Sequence, residues 1–260
     1  MKNIINKISI HPLTYFFIVS GFITGYFNTV IALGLIITTH EFGHIIVIIK
    51  KKYHISKIEF LPFGGITRIE KDINSSIKDE ILISIFGIFF QSILGFILLA
   101  LFQTNLIREE FYIIFKNYNL IILIFNMLPI VPLDGHIFIK SVLELVLSFK
   151  NSFIISNIIS AILLLILIIY NHIFALNNYI IISFLIFKSY ESIKNFKHTQ
   201  NRFFLERYLN NYNFAKTKLI NSLNLNKMSK ERTHFFKIKD KIIKEYDILR
   251  KKFDRKGKIW

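Results

Sequence analysis

Two histidines four residues apart with a glutamate between them, His40-Glu41-Phe42-Gly43-His44, are the residues of this chain best placed to do chemistry. On an α-helix that spacing puts both imidazoles on one face, one turn apart, where they can grip a single metal ion. The glutamate then stands beside the ion. A carboxylate there can take a proton from a water whose pKa the metal has lowered, which is the chemistry of metal-assisted peptide hydrolysis. The setting is apolar. From Asn28 to Ile49 the only ionisable side chains are His40, Glu41 and His44, so the motif lies within a hydrophobic span.

Zinc in a hydrolase takes three protein ligands and keeps a fourth position for water, so the two histidines need one partner. The chain has no Cys, which restricts the choice to His and carboxylate and leaves no disulfide framework. A carboxylate inside a membrane-spanning segment is costly and points to function. Besides Glu41 only Asp134 falls deep within such a segment, with Glu144 a borderline third. Asp134 is therefore the leading candidate for the third ligand, and Glu59 and Glu70 are the alternatives. An extended metzincin pattern is excluded, because it needs Gly at residue 47 and His at residue 50, where Val47 and Lys50 stand.

The elements that must position these residues follow from composition and pattern. At 53% hydrophobic content with 28 Phe among 260 residues, the chain reads as a polytopic membrane protein. Ile8 to Phe27 forms a first apolar segment, and Asn28 to Ile49 a second, closed by Lys50-Lys51-Lys52, which marks its end as cytosolic. Two short alternating runs around Gly64-Gly65 predict a β-hairpin entering the bilayer edge, where non-helical backbone must face protein or a water-filled cavity. A third span is expected over Ile81 to Phe102, then a polar connection from Gln103 to Lys116 and a fourth span from Tyr118 to Leu133. Pro129 and Pro132 break that helix just ahead of Asp134. A short helical run from Ile137 to Phe149 and spans over Phe153 to Tyr170 and Ala175 to Phe187 follow. The expected fold is thus all-α and polytopic, with about six transmembrane helices, a small re-entrant hairpin, and both termini in the cytosol. Residues 1–190 form the membrane domain and 191–260 a basic cytosolic tail.

The net charge of +16 is concentrated in that tail, where Lys188 onward holds 20 Lys and Arg against 7 Asp and Glu. After membrane spans such a charge marks the cytosolic side and an attraction to anionic lipid, so nucleic acid is not an expected partner. Gly21 and Gly25 allow close helix packing within one bundle, or a homo-oligomer. His136 reads as an interfacial histidine bonded to backbone, and His11, His54, His172, His198 and His234 carry no assigned role. A transporter would spread ionisable residues over several spans and carry an internal repeat, and neither is present.

His40-Glu41-Phe42-Gly43-His44 in one span and Asn126-x-x-Pro129-x-x-Pro132-Leu133-Asp134-Gly135 in another resemble the two signatures of the site-2 protease family of intramembrane zinc metalloproteases. The hairpin with Gly64 and Gly65 is similar to that family's re-entrant loop. Arg202-Phe203-Phe204-Leu205-Glu206-Arg207-Tyr208 resembles the matching stretch of the sporulation branch, whose members carry a cytosolic CBS domain; residues 200–260 make only a shortened match to it. The resemblance implies one Zn2+ held by His40, His44 and Asp134, with Glu41 as base and Asn126, Pro129, Gly64 and Gly65 contacting substrate. It implies cleavage of a membrane-associated protein near the cytosolic face, a sporulation sigma factor precursor of the pro-sigma-K type, in the bacterial cell membrane or the membrane around the forespore. Membrane inhibitor proteins are further expected partners. The competing expectations are a catalytically inactive membrane scaffold, or a protease of this type with another regulatory substrate.

Overall fold

The structure, a computed structural model, describes residues 7–61, 64–170, 176–238 and 241–254. The chain is mostly helical and divides into two compact units, Met1–Lys71 with Leu82–Leu128, and Asp72–Ile81 with Pro129–Trp260.

In the first unit, strand β1 (Ile8–Ile10) precedes helix α1 (Pro12–Ile23). The first apolar segment is therefore not one continuous helix. His11 ends the strand and caps the helix, its Nδ1 accepting from the Leu13 N–H at 3.2 Å, and Pro12 takes the first helical position. Twelve residues of helix rise only about 18 Å, short of the roughly 30 Å of bilayer hydrocarbon. Gly25, at φ +81, turns the chain into α2 (Phe27–Lys50). A Cβ on Gly21 would fall 2.4 Å from Val30 Cγ2, so this glycine serves α1 against α2 inside the chain.

Strands β2 (His54–Leu61) and β3 (Gly64–Glu70) form the expected antiparallel hairpin, and β1 adds to β2 in parallel, giving the order β1-β2-β3. Gly64 and Gly65 are not the turn. They open β3 opposite Leu61 and Phe60, and the residues joining the strands, Pro62 and Phe63, lie outside the described residues. Helix α3 (Ile77–Gln103) and helix α4 (Glu109–Met127) follow. The connection expected to reach Lys116 is shorter than that, because α4 starts at Glu109, with Glu109 and Glu110 in its first turn, where acidic groups oppose the positive end of the helix dipole. Ala32, Ile36, Leu98 and Phe115 make the buried contact of α2, α3 and α4.

In the second unit the prolines do break the chain, and α5 (Asp134–Val146) begins on Asp134 itself. The Val131 N–H freed by the break is taken by Ser160 Oγ at 3.1 Å, on helix α6 (Phe149–Tyr170). Helix α7 (Leu176–Asn210) continues far past the expected sixth span, so a boundary at residue 190 falls inside it; Ala175 and His172 lie outside the described residues. The expected tail carries strands of its own. Strands β4 (Thr217–Ile220), β5 (Thr233–Ile238) and β6 (Lys241–Lys244) form a second sheet, followed by α8 (Glu245–Phe253). The expectation of an all-α chain with a single hairpin omits this sheet. Phe149 at the start of α6 is buried with Phe203, Phe204, Ile220, Met228, Phe236 and Leu249, and its ring stacks on Phe203 at 4.5 Å. Arg207, fully enclosed, donates to Asn74, Ser229, Arg232 and Glu245. His136 is buried, yet its Nδ1 makes no hydrogen bond to the described residues, against the expected backbone partner.

One buried ion cluster ties tail to helices within this unit. Lys230 Nζ lies 3.0 Å from both Glu80 and Glu144, and Ser141 donates to Glu80. Burial by itself would push the Lys230 ammonium down, but the two carboxylates outweigh it and hold its pKa above the ordinary lysine value. Removing the cation leaves two buried carboxylates facing each other, so Lys230→Met is expected to destabilise the unit by about 3–5 kcal/mol. Thermal melting of the protein in detergent checks this.

Among the described residues, three helices are long and apolar enough to cross a membrane, namely Phe27–Lys50, Ile77–Gln103 and Phe149–Ile169. Their exposed faces carry large apolar side chains such as Ile31, Leu35, Phe89, Phe96, Ile162 and Leu165, as lipid contact requires.

Candidate metal centre

The cluster is built by two helices and one strand of the first unit. Helix α2 puts His40, Glu41 and His44, all buried, on its inner side, and one ligand atom from each falls within 4.8 Å of the others. The expected i, i+4 geometry holds: the imidazoles meet edge to face, with ring centroids 4.8 Å apart and the two Nε2 atoms 3.1 Å apart.

Helix α3 closes the cluster from the other side. A Cβ on Gly43 would fall 2.2 Å from the Phe86 carbonyl oxygen, so α2 and α3 touch at backbone distance there. A Cβ on Gly87 would fall 2.5 Å from His44 Cε1 and Nε2 and 2.9 Å from His40 Cε1, so this bare position makes the room for both rings. His44 Nδ1 lies 2.6 Å from the Ile83 carbonyl and His40 Nδ1 lies 3.0 Å from Gln91 Oε1. Ile83, Gly87 and Gln91 recur every fourth residue, so one stripe of α3 serves the pair.

Strand β3 supplies the third wall. Thr67 Oγ1 donates to Glu41 Oε2 at 3.0 Å, and a Cβ on Gly65 would fall 2.4 Å from Glu41 Cδ. Alternate residues of one strand face thus hold and accommodate the carboxylate.

The arrangement fits a metal ion. The Ile83 carbonyl can only accept, so His44 Nδ1 carries a proton and Nε2 is the ring nitrogen turned toward His40. Tetrahedral zinc with Zn–N bonds of about 2.0–2.1 Å sets two nitrogen ligands about 3.3 Å apart, close to the spacing seen here. The donor set of two imidazoles and a neighbouring carboxylate suits zinc and the divalent metals close to it.

The other expected site residues stand on other elements of the chain. Asp134 is half-buried at the first position of α5 and Pro129 precedes it, both in the second unit, while Asn126 is half-buried near the end of α4. Of the alternative ligands, Glu59 pairs with Lys57 at 3.0 Å, and exposed Glu70 lies 4.0 Å from His54. The hydrogen bond from Lys57 lowers the Glu59 pKa and outweighs the opposing effect of burial. Gly87, Gln91 and Thr67 carried no expected role, Gln91 serving only to interrupt a span. The signal available for them was a glycine and a glutamine four apart in an apolar helix, and a threonine two residues after Gly65.

Fold and site together define a membrane protein with a His-Glu-His cluster able to hold a metal ion on an apolar helix. Residues 28–108 match the sequence model of Peptidase family M50. The chain is 34% identical over 133 residues to stage IV sporulation protein FB of Bacillus subtilis (strain 168), a match covering 51% of this chain and 46% of that protein, so it spans less than half of that relative's length. Its structure is similar to that of the site-2 protease from Methanocaldococcus jannaschii, with a TM-score of 0.51 and 25% identity, over 71% of this chain and 89% of the other. Sequence and structure are thus each similar to those of membrane proteases of the M50 and site-2 type.

Proposed function

We propose that this chain is an intramembrane zinc metalloprotease that cuts a membrane-associated protein near the cytosolic face, with the pro-sequence of a sporulation sigma factor precursor as its substrate. The observation that carries the reading is the convergence of His40 and His44 Nε2 at 3.1 Å, beside Glu41, inside an apolar helix. The similarity to a sporulation protein supports the substrate class. Lys50, Lys51 and Lys52 at the end of α2 support a cytosolic position for that end, and with it a six-span chain whose termini are both cytosolic and whose hairpin re-enters the bilayer.

His40, His44 and Asp134 would hold the zinc, which when bound supplies a Lewis acid and a water acidified toward neutral pH. Thr67 orients the Glu41 carboxylate through Oε2, and Oε1 takes the proton of the attacking water and delivers it to the leaving amide nitrogen. Among the described residues β3 pairs only with β2, so its outer edge offers N–H and C=O groups to an extended substrate strand. Asn126 and Pro129 would seat that segment. Packing of α2 on α3 at Gly43 limits the entry of other water.

The test is metal analysis joined to a processing assay of the purified chain with the precursor. The expected result is about one zinc per chain, lost in Asp134→Ala, and cleavage that a chelator stops and zinc restores. Full cleavage by metal-free protein would overturn the proposal, and zinc without cleavage of any membrane-associated substrate would favour an inactive scaffold.

A further inference from the structure

Gln91 is fully buried in the middle of α3 and engages polar groups at both ends of its amide. Its Nε2 donates to the Asn119 backbone carbonyl at 3.0 Å and to Asn119 Oδ1 at 3.2 Å, both on α4. The backbone carbonyl can only accept, so the amide nitrogen must face α4. The amide oxygen must then face His40. That oxygen is 3.0 Å from His40 Nδ1 and can only accept, so Nδ1 must carry the ring proton. A backbone oxygen on α4 therefore dictates, through one side chain, that His40 Nδ1 carries a proton.

We infer that Gln91 is a positioning residue that sets the tautomer and ring plane of His40, and that Asn119 sets the orientation of Gln91. The role rests on the protease reading only in its consequence for zinc; the tautomer itself belongs to the metal-free chain. His44 has its proton fixed by a backbone carbonyl, whereas His40 has it fixed by a side chain that substitution can remove. Burying an amide in an apolar helix is costly unless its groups are paired, and here both ends are paired.

The experiment compares the full-length wild type with Gln91→Met and Gln91→Glu in detergent. Methionine keeps the volume and removes the acceptor, and glutamate keeps an acceptor for Nδ1–H. Nitrogen-15 NMR of labelled histidine in the metal-free protein reads the tautomer, and competition with a chelator reads zinc affinity. In wild type His40 is expected as the Nδ1–H form; in Gln91→Met that form is no longer dominant, zinc binds about 10–100-fold more weakly, and the absorption of the cobalt-substituted protein changes. Gln91→Glu is expected to restore the tautomer and most of the affinity. An unchanged tautomer in Gln91→Met, or equal loss in both variants, would overturn the inference. Failure of wild type to bind zinc would instead defeat the protease reading, and the tautomer would still decide for or against Gln91.

Discussion

Glu41→Gln is expected to lower cleavage of the precursor by about 10²–10⁴-fold while leaving about one zinc per chain in place. The substitution changes one atom. The amide oxygen can still accept from Thr67 Oγ1, and the side chain keeps the shape that bare Gly65 accommodates, so the wall formed by β3 stays as it is. Neither histidine is touched, and the α2 backbone is unaffected because Gln and Glu have similar helix propensity. What disappears is a group able to take a proton from water and give it to the leaving amine. Loss of zinc together with activity would make Glu41 a ligand rather than the base, and cleavage at the wild-type rate would remove it from the reaction. Quantitative co-expression with the precursor, alongside metal analysis, separates these outcomes.

Gly87→Ala is expected to weaken zinc binding at least about 100-fold, a larger loss than removal of one outer partner of a ligand. One methyl group would lie 2.5 Å from His44 and 2.9 Å from His40. His44 cannot move aside cheaply, since its Nδ1–H is held by the Ile83 carbonyl one turn away on the same helix. The helices cannot part cheaply either, because Gly43 brings α2 against the Phe86 backbone at the adjoining turn. The rings must turn out of register, and two nitrogens that share one ion lose their common focus. Chelator competition measures the affinity, and helical circular dichroism distinguishes lost coordination from lost fold; zinc bound as in wild type would refute the role given to Gly87.

The part of the centre on α2 was legible because His40, Glu41 and His44 are local: an i, i+4 spacing in an apolar run fixes their common face without knowledge of any neighbour. The hairpin was legible by its alternation, although its glycines open the returning strand instead of turning the chain. Gln91 was visible as a polar interruption but not as a partner of His40, because 51 residues separate them and helix periodicity does not say which helix lies opposite. Lys230 is separated from Glu80 by 150 residues, and within a strongly basic tail nothing distinguishes a buried lysine from a solvated one. The second sheet was missed for a similar reason. Its strands are four to six residues long and rich in Lys, so they read as polar loop, and their stability comes from Phe203, Phe204 and Phe149, which lie on helices.

Phe149 both starts α6 and sits in the core shared with the tail strands, and Lys230 and Arg232 of the tail reach Glu144 and the Leu145 carbonyl at the far end of the helix that Asp134 begins. A segment joined in this way is not modular. Replacing it without reworking the helices it is sewn to would leave Glu144 without its lysine and open the core around Phe149, so residues from Pro129 onward stand or fall as one piece.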